Sequence, residues 1–161
     1  MVKDRAAVAG VGASFASENR AALGLALSTV GELMASNVVT LDAAQTRREA
    51  SALFAVRRFR HLPVTEGRRL IGILADRDVF GLLAERPDAG ATAVSAVMNP
   101  DPITIGPDAS VASAISVLLH RRIHCLPVVT DDRILEGLLT TTDVLRALYA
   151  LQTWLERAAG R

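Results

Sequence analysis

The chain has 161 residues, half of them apolar, enough to bury a core in one compact domain or two tightly fused ones, which argues against disorder. Its 18 basic and 17 acidic residues leave a formal charge of +1, so no global field favours nucleic acid or an anionic membrane, and either would need a local patch. A single cysteine, Cys125, excludes an intrachain disulfide framework or thiolate metal cluster and fits a reducing compartment, the cytoplasm by default.

No apolar run reaches membrane-spanning length. Lys3 and Arg5 precede a small-residue stretch, residues 6–16, that resembles a poor signal peptide. That stretch lacks Leu and Ile, and Asp4 interrupts the basic region, so residues 1–28 read as a loose N-terminal arm, with a short helix over 19–27 that packs Leu23 and Leu27. Thr29-Val30-Gly31-Glu32 fits a capping box leading into a short turn that ends at Met34, and residues 95–98 are its counterpart. Residues 38–41 and 103–105 read as short β-branched strands, each followed by a helix. The first helix, about 46–58, presents Ala50, Leu53 and Phe54. The second presents Val111, Ala114, Ile115, Leu118 and Leu119 at steps of three and four, with Asp108 or Ser110 as its cap. Both end in paired arginines, Arg57-Arg58 and Arg121-Arg122, at the dipole end that cations favour.

Two hairpins follow these helices. Residues 61–65 and 70–74 flank Glu66-Gly67, and 125–129 and 135–139 flank Asp131-Asp132. Each hairpin leads into a helix. Pro87, Asp88 and Gly90 give the stretch between the halves linker chemistry. The final helix runs to about Ala159, with Val144, Leu148, Leu151, Leu155 and Ala158 along one seam; Tyr149 and Trp154 lie off it, on a surface suited either to self-association or to docking on its own domain.

These elements form one unit present twice. Met34, Thr40 and Leu62-Pro63-Val64 return as Met98, Thr104 and Leu126-Pro127-Val128 at one offset, 64, since 98 minus 34, 104 minus 40 and 126 minus 62 agree. Gly72, Leu74, Asp78 and Val79 return as Gly137, Leu139, Asp143 and Val144 at an offset of 65, which places one inserted residue in the second hairpin turn. The expected fold class is α/β, an α+β sandwich of two tandem β-α-β-β-α repeats related by a pseudo-twofold axis. The expected organisation is an arm (1–28), a first repeat (29–85), a linker (86–92), a second repeat (93–148) and a helical extension (149–161).

The strongest local signal is Gly137-Leu138-Leu139-Thr140-Thr141-Thr142-Asp143. A strand ending in Thr is followed, three residues on, by an Asp entering a helix. At such a junction hydroxyl, carboxylate and the helix's first amides face one crevice. A ribose offers two adjacent hydroxyls, and a carboxylate can accept both. Thr140 can hold Asp143 or reach a phosphate. The bland alternative is that Asp143 and Asp78 merely start helices.

On the repeat, the two Leu-Pro-Val strands, Met34 and Met98, and the Gly-aliphatic-aliphatic-Thr-x-x-Asp signature, the chain resembles the cystathionine-β-synthase (CBS) domain family over residues 30–148. The family's tandem pairs form a Bateman module. The resemblance implies a disc-like regulatory sensor, often a homodimer, whose clefts bind adenosine nucleotides or S-adenosylmethionine. It carries a ribose-contacting role to Thr140 and Asp143 in the second copy and to Asp78 in the first, where Ala75 replaces the Thr. That loss forfeits a hydrogen bond worth about 1 kcal/mol, and Asp76 adds a carboxylate near any phosphate, so the second cleft is expected to be the better site. The resemblance further implicates Ile103, Thr104 and Leu126 beside the adenine. Arg122 with His124, or Arg58, Arg60 and His61, stand near the phosphates. These arginines favour AMP, ADP or ATP over the cationic sulfonium ligand.

Two other functions compete with sensing: a ligand-free interaction module assembled through its terminal helix, and a nucleic-acid binder using Arg57, Arg58, Arg60, Arg121 and Arg122. His120 and His124 have helical ligand spacing but lack a carboxylate or thiolate set, so no metal site is expected. Cys125 reads as a small core residue. The chain has no nucleophile elbow, Gly-rich phosphate loop or Ser/His/Asp set, so no enzymatic activity is expected.

Overall fold

The computed structural model describes residues 29–57, 59–85 and 90–160, and the expectations for the N-terminal arm, its 19–27 helix, Arg58 and residues 86–89 lie outside them. The chain is mixed α/β and runs α1 (Val30–Leu33), β1 (Leu41–Asp42), α2 (Arg47–Arg57), β2 (His61–Glu66), β3 (Arg69–Ala75), α3 (Asp76–Glu85), a 3-10 turn (Val94–Ala96), α4 (Val111–Arg121), β4 (Cys125–Val129), β5 (Leu135–Thr140) and α5 (Thr141–Ala158). Strands β2 and β3 form an antiparallel hairpin with β1 parallel to β2 on its edge, and β4 and β5 form the second hairpin. Ile105 makes a single parallel bridge to Val128, the counterpart of the β1–β2 pairing.

The expected strand at 38–41 shifts to Leu41–Asp42, and 103–105 shrinks to the Ile105 bridge. Residues 38–40 and 102–104 have no regular structure. Pro102 has no amide hydrogen to donate to a ladder, and the segment before each short strand is drawn away from its own repeat by a second attachment.

That attachment is an exchange. Thr29 bridges Ser110, and the amides of Val30 and Gly31 donate to the carbonyls of Ala109 and Pro107, both at 2.8 Å. By symmetry Ala93 bridges Thr46, and the amides of Val94 and Ser95 donate to Gln45 and Ala43. Further on, Ala35 pairs with Leu138 and Asn99 with Ile73. Each repeat's opening turn is therefore seated on the other repeat. Val30 belongs to a core with Ala114, Leu118, Leu126, Val128 and Leu139, packed by Leu33 and Met34. Val94 belongs to the core of Leu41, Phe54, Leu62, Val64, Leu74 and Val79, packed by Val97 and Met98.

The paired glycines and methionines of the repeat are explained by this contact. A Cβ on Gly137 would lie within contact-forbidden distance of the Met34 sulfur and 2.9 Å from the Ala35 carbonyl oxygen, and one on Gly72 would meet Met98 and the Asn99 carbonyl oxygen at 2.8 Å in the same way. Only glycine lets the exchanged segment approach the hairpin so closely. The hairpins also touch directly. The Leu70 amide donates to the Arg133 carbonyl and the Leu135 amide to the Arg68 carbonyl, each at 2.9 Å.

Local capping follows the sequence with two refinements. The Thr29 amide donates to Glu32 at 2.9 Å, and Ser110, not Asp108, caps α4 by accepting from the Ser113 amide at 3.1 Å. Thr46 and Glu49 form a further box, with the Thr46 amide and hydroxyl both donating to Glu49 Oε2 at 2.6 Å, which holds the Glu49 carboxyl below its ordinary range. Leu119, expected on the buried face of α4, is 71% exposed, because that face is narrower than the apolar pattern and ends with Ala114 and Leu118. α5 buries none of its residues completely and exposes Leu145, Leu148, Tyr149 and Leu155, so Leu148 and Leu155 do not seal the expected intramolecular seam.

Candidate functional site

The exchange creates two symmetry-related cavities, each built from both repeats. The first, of about 630 Å³, opens where β5 meets α5. Thr140, Thr141, Asp143 and Arg146 come from the second repeat; Asn37, Val38, Val39 and the stretch Phe59 to Leu62 come from the first. The second, of about 500 Å³, repeats the pattern with Ala75, Asp76, Arg77 and Asp78 from the first repeat and Asp101, Pro102, Ile103 and the stretch Arg122 to Cys125 from the second.

The acidic side chain of the larger cavity is held by its own helix start. Thr140 Oγ1 donates to Asp143 Oδ2 at 2.5 Å, the Thr140 amide donates to the same oxygen at 2.9 Å, and the Asp143 amide donates back to Thr140 Oγ1 at 3.3 Å. Asp143 is thus both a helix-start residue and a cleft-lining one. Oδ2 is taken up by Thr140. Oδ1 has the exposed Arg146 at 3.6 Å and, among the described residues, no hydrogen-bond donor, so it is the oxygen available to an incoming hydroxyl. The Asp143 side chain itself is 18% exposed, so a hydrogen bond made there is partly shielded from water.

The smaller cavity lacks this order. Ala75 offers no hydroxyl, Asp78 is half exposed beside Arg77 at 3.6 Å, and Asp76 accepts the Arg77 amide at 2.7 Å. Its arginines, Arg60, Arg77 and Arg122, are matched by Asp76, Asp78 and Asp101. Among the described residues, the larger cavity sets Arg60 and Arg146 against one aspartate, Asp143, and keeps an excess of positive charge. That difference favours an anion in the Asp143 cleft.

The sequence-derived candidates divide between the two cavities. Thr140, Asp143, Arg60, His61 and His124 come together in the larger one; Asp78, Ile103 and Arg122 line the smaller one, which Arg60, His61 and His124 also reach. Ile103 was expected beside Asp143 and lies beside Asp78 instead, because the segment preceding each short strand crosses to the opposite repeat. Thr104 lines neither cavity, and the Leu126 side chain is fully buried in the core, so neither side chain is part of a cavity wall. The apolar wall facing Asp143 is formed by Val38, Val39 and Phe59, which the sequence reading missed. The repeat offset of 64 maps Val39 onto Ile103, so the position was signalled but its partner repeat was not. Arg146, one turn after Asp143, was legible from helical spacing alone.

His61 is pushed below its ordinary pKa, first by burial and then by the neighbouring His124 and Arg77, against the opposing pull of Asp76 and Asp78. Burial pushes the Cys125 thiol up to about 12, which makes it a poor nucleophile near neutrality. His120 turns its Nδ1–H onto the Ser116 carbonyl at 2.7 Å within α4, away from His124's setting. Among the described residues no group of three His, Cys, Asp or Glu side chains could hold a metal.

A family model described as CBS domain matches residues 30–85 and 94–150. The chain belongs to the CBS domain family and carries two copies of its domain. It is 36% identical over 108 residues to an inosine-5'-monophosphate dehydrogenase of Korarchaeum cryptofilum, covering 67% of this chain and 22% of that protein. It spans 22%, 39% and 25% of the lengths of the first three curated relatives it matches. Among solved structures it resembles an acetoin utilization protein (AcuB) from Vibrio cholerae, with TM-score 0.73 and 27% identity over 81% of this chain and 97% of that one. It also resembles CBSX2 solved in complex with AMP, with TM-score 0.70 and 25% identity over 78% of this chain and 98% of that one.

Proposed function

We propose that this chain is a non-catalytic regulatory module that binds an adenine nucleotide, AMP, ADP or ATP in preference to S-adenosylmethionine, in the cleft formed by Thr140 and Asp143 of the second repeat and residues 37–39 and 59–62 of the first. The observation that carries the reading is the Asp143 carboxylate: fixed by Thr140, it leaves Oδ1 facing a cavity with surplus positive charge. The 2′- and 3′-hydroxyls donate to that carboxylate. The adenine lies against Val38, Val39 and Phe59, where residues 38–40 have main-chain groups outside any ladder. The phosphate turns towards Arg60, His61 and His124. The AMP complex of CBSX2, a pair of similar fold, supports an adenosine ligand.

The repeats are taken as residues 29–85 and 93–148, joined by 86–92 and extended by 149–161. The test is a thermal-shift series with AMP, ADP, ATP, S-adenosylmethionine and GMP against matched salt. Binding to the folded state raises the transition by about 2.7 kcal/mol of stability at a hundredfold excess over Kd. Asp143→Ala removes the part of that shift that comes from the Asp143 cleft, whereas a helix-start role alone lowers the apo transition and leaves the whole shift intact. If no nucleotide moves the wild-type transition, the sensing function is refuted.

One observation favours a second activity alongside sensing. α5 exposes Leu145, Leu148, Tyr149 and Leu155, a surface suited to a homodimer or to a regulated partner protein. No described helix is long and apolar enough to cross a membrane.

A further inference from the structure

The two cavities are walled by different aspartates but meet at one shared set of nitrogen-bearing side chains, of which Arg60 carries a fixed positive charge. Arg60, His61 and His124 each line both. Their position is fixed by the repeat. The Asp76 amide donates to the Arg60 carbonyl and the Thr141 amide to the His124 carbonyl, both at 3.0 Å, so each residue is pinned at the strand–helix junction where one cleft backs onto the other. Among the described residues Arg60 is the only arginine common to both clefts. Without it the larger cleft retains Arg146 against Asp143 and the smaller retains Arg77 and Arg122 against three aspartates, so neither keeps any surplus positive charge from arginine.

We infer that the clefts share one phosphate seat: a phosphorylated nucleoside in the Asp143 cleft and another in the Asp78 cleft draw on the same Arg60, His61 and His124, so filling one cleft weakens the other. The inference rests on the nucleotide-binding reading above and adds its regulation. The coupling is electrostatic, so it belongs to the phosphate and not to the nucleoside. It is also reciprocal, since each occupant must reduce the other's affinity by the same factor.

Calorimetric titration of the full chain with AMP and with adenosine tests this. In the wild type the Asp78 cleft fills second, with the shared seat already occupied. In Asp143→Ala, or in Asp143→Asn should the first variant fail to fold, it fills with the seat free. The expected result is AMP binding to the Asp78 cleft about 5–150-fold more tightly in the variant than in the wild-type second step, with no such difference for adenosine. Arg60→Gln is expected to weaken AMP at both clefts and to leave adenosine unchanged. Equal AMP affinities, a variant whose Asp78 cleft takes no AMP, the same coupling for adenosine, or an Arg60→Gln effect confined to one cleft would each overturn the shared seat while leaving nucleotide binding intact. Failure of both AMP and adenosine to bind the wild type would overturn the nucleotide reading and the shared seat with it.

Discussion

Replacing Gly137 by Ala is a direct test of the exchange that builds the clefts. The added carbon would press on the Met34 sulfur, with Met34 Cγ at 2.8 Å and the Ala35 carbonyl oxygen at 2.9 Å. A flexible side chain could yield, but the carbonyl belongs to the backbone that pairs with Leu138, so the exchanged strand must move as a unit. Overpacking a tight site costs about 1–3 kcal/mol, and backbone involvement places this case at about 2–3 kcal/mol. For a chain of this size that lowers the melting temperature by about 4–12 °C. Gly81→Ala is the control. Its new carbon would meet nothing within 4 Å, and it lies inside the α3 helix, so Ala there stabilises by about 0.5–1 kcal/mol. Met34→Ala in the Gly137→Ala background removes the side-chain half of the clash. Calorimetric melting of the four members of that cycle should show the double variant more stable than additivity by at least about 0.5 kcal/mol. Strict additivity, or a Gly137→Ala transition within about 1 °C of wild type, would mean that Met34 is not seated where the fold places it.

Two more outcomes follow from the same structure. His61 has a folded pKa below its unfolded value, so it contributes stability above the ordinary histidine range that is lost as pH falls below about 6.5; urea titrations of the apo protein between pH 8 and 5 should show this decline, and His61→Gln should flatten it. Ser110→Ala should cost about 0.5–2 kcal/mol by removing the cap on α4, while Asp108→Ala should stay within about 0.5 kcal/mol of wild type. Equal losses in chemical denaturation would show that capping is not what distinguishes the two residues.

The sequence carried the element order well because its signals were local. Apolar periodicity marked α2 and α4, the Leu-Pro-Val strands and their turns marked both hairpins, and the Thr-x-x-Asp spacing marked the box at the start of α5. What it could not carry was the pairing between repeats. In a duplicated chain Val39 and Ile103 have the same local environment in sequence terms, and the choice between facing one's own Asp or the other repeat's is made only when segments 29–35 and 93–99 dock. The Met34 with Gly137 and Met98 with Gly72 contacts hold that choice in place. Glycine at those positions was visible, but nothing local said which methionine it admits. Leu126 illustrates the same limit on a smaller scale. Strand alternation allows two faces, and the core claimed the one that the cleft was expected to have.

The exchanged openings also bear on how a bound ligand would be communicated. If each cleft were built from one repeat, a nucleotide could bind without affecting how the repeats fit together. Because Val38, Val39 and Phe59 face Thr140 and Asp143 across the cavity, a ligand touching both walls binds only the docked arrangement, and its binding energy adds to the stability of the interface between repeats. The acidic residue at that interface is also the third residue of α5, an 18-residue helix, about 27 Å long. Any reorientation of Asp143 to meet a ribose must therefore move, or be resisted by, a helix that exposes Leu145, Leu148, Tyr149 and Leu155. A ligand shifts an equilibrium only by its differential affinity for two states. In the sensor proposed above, the two states would differ in the position of α5 relative to the first repeat's wall, and the exposed face of that helix is where a second molecule would read the difference.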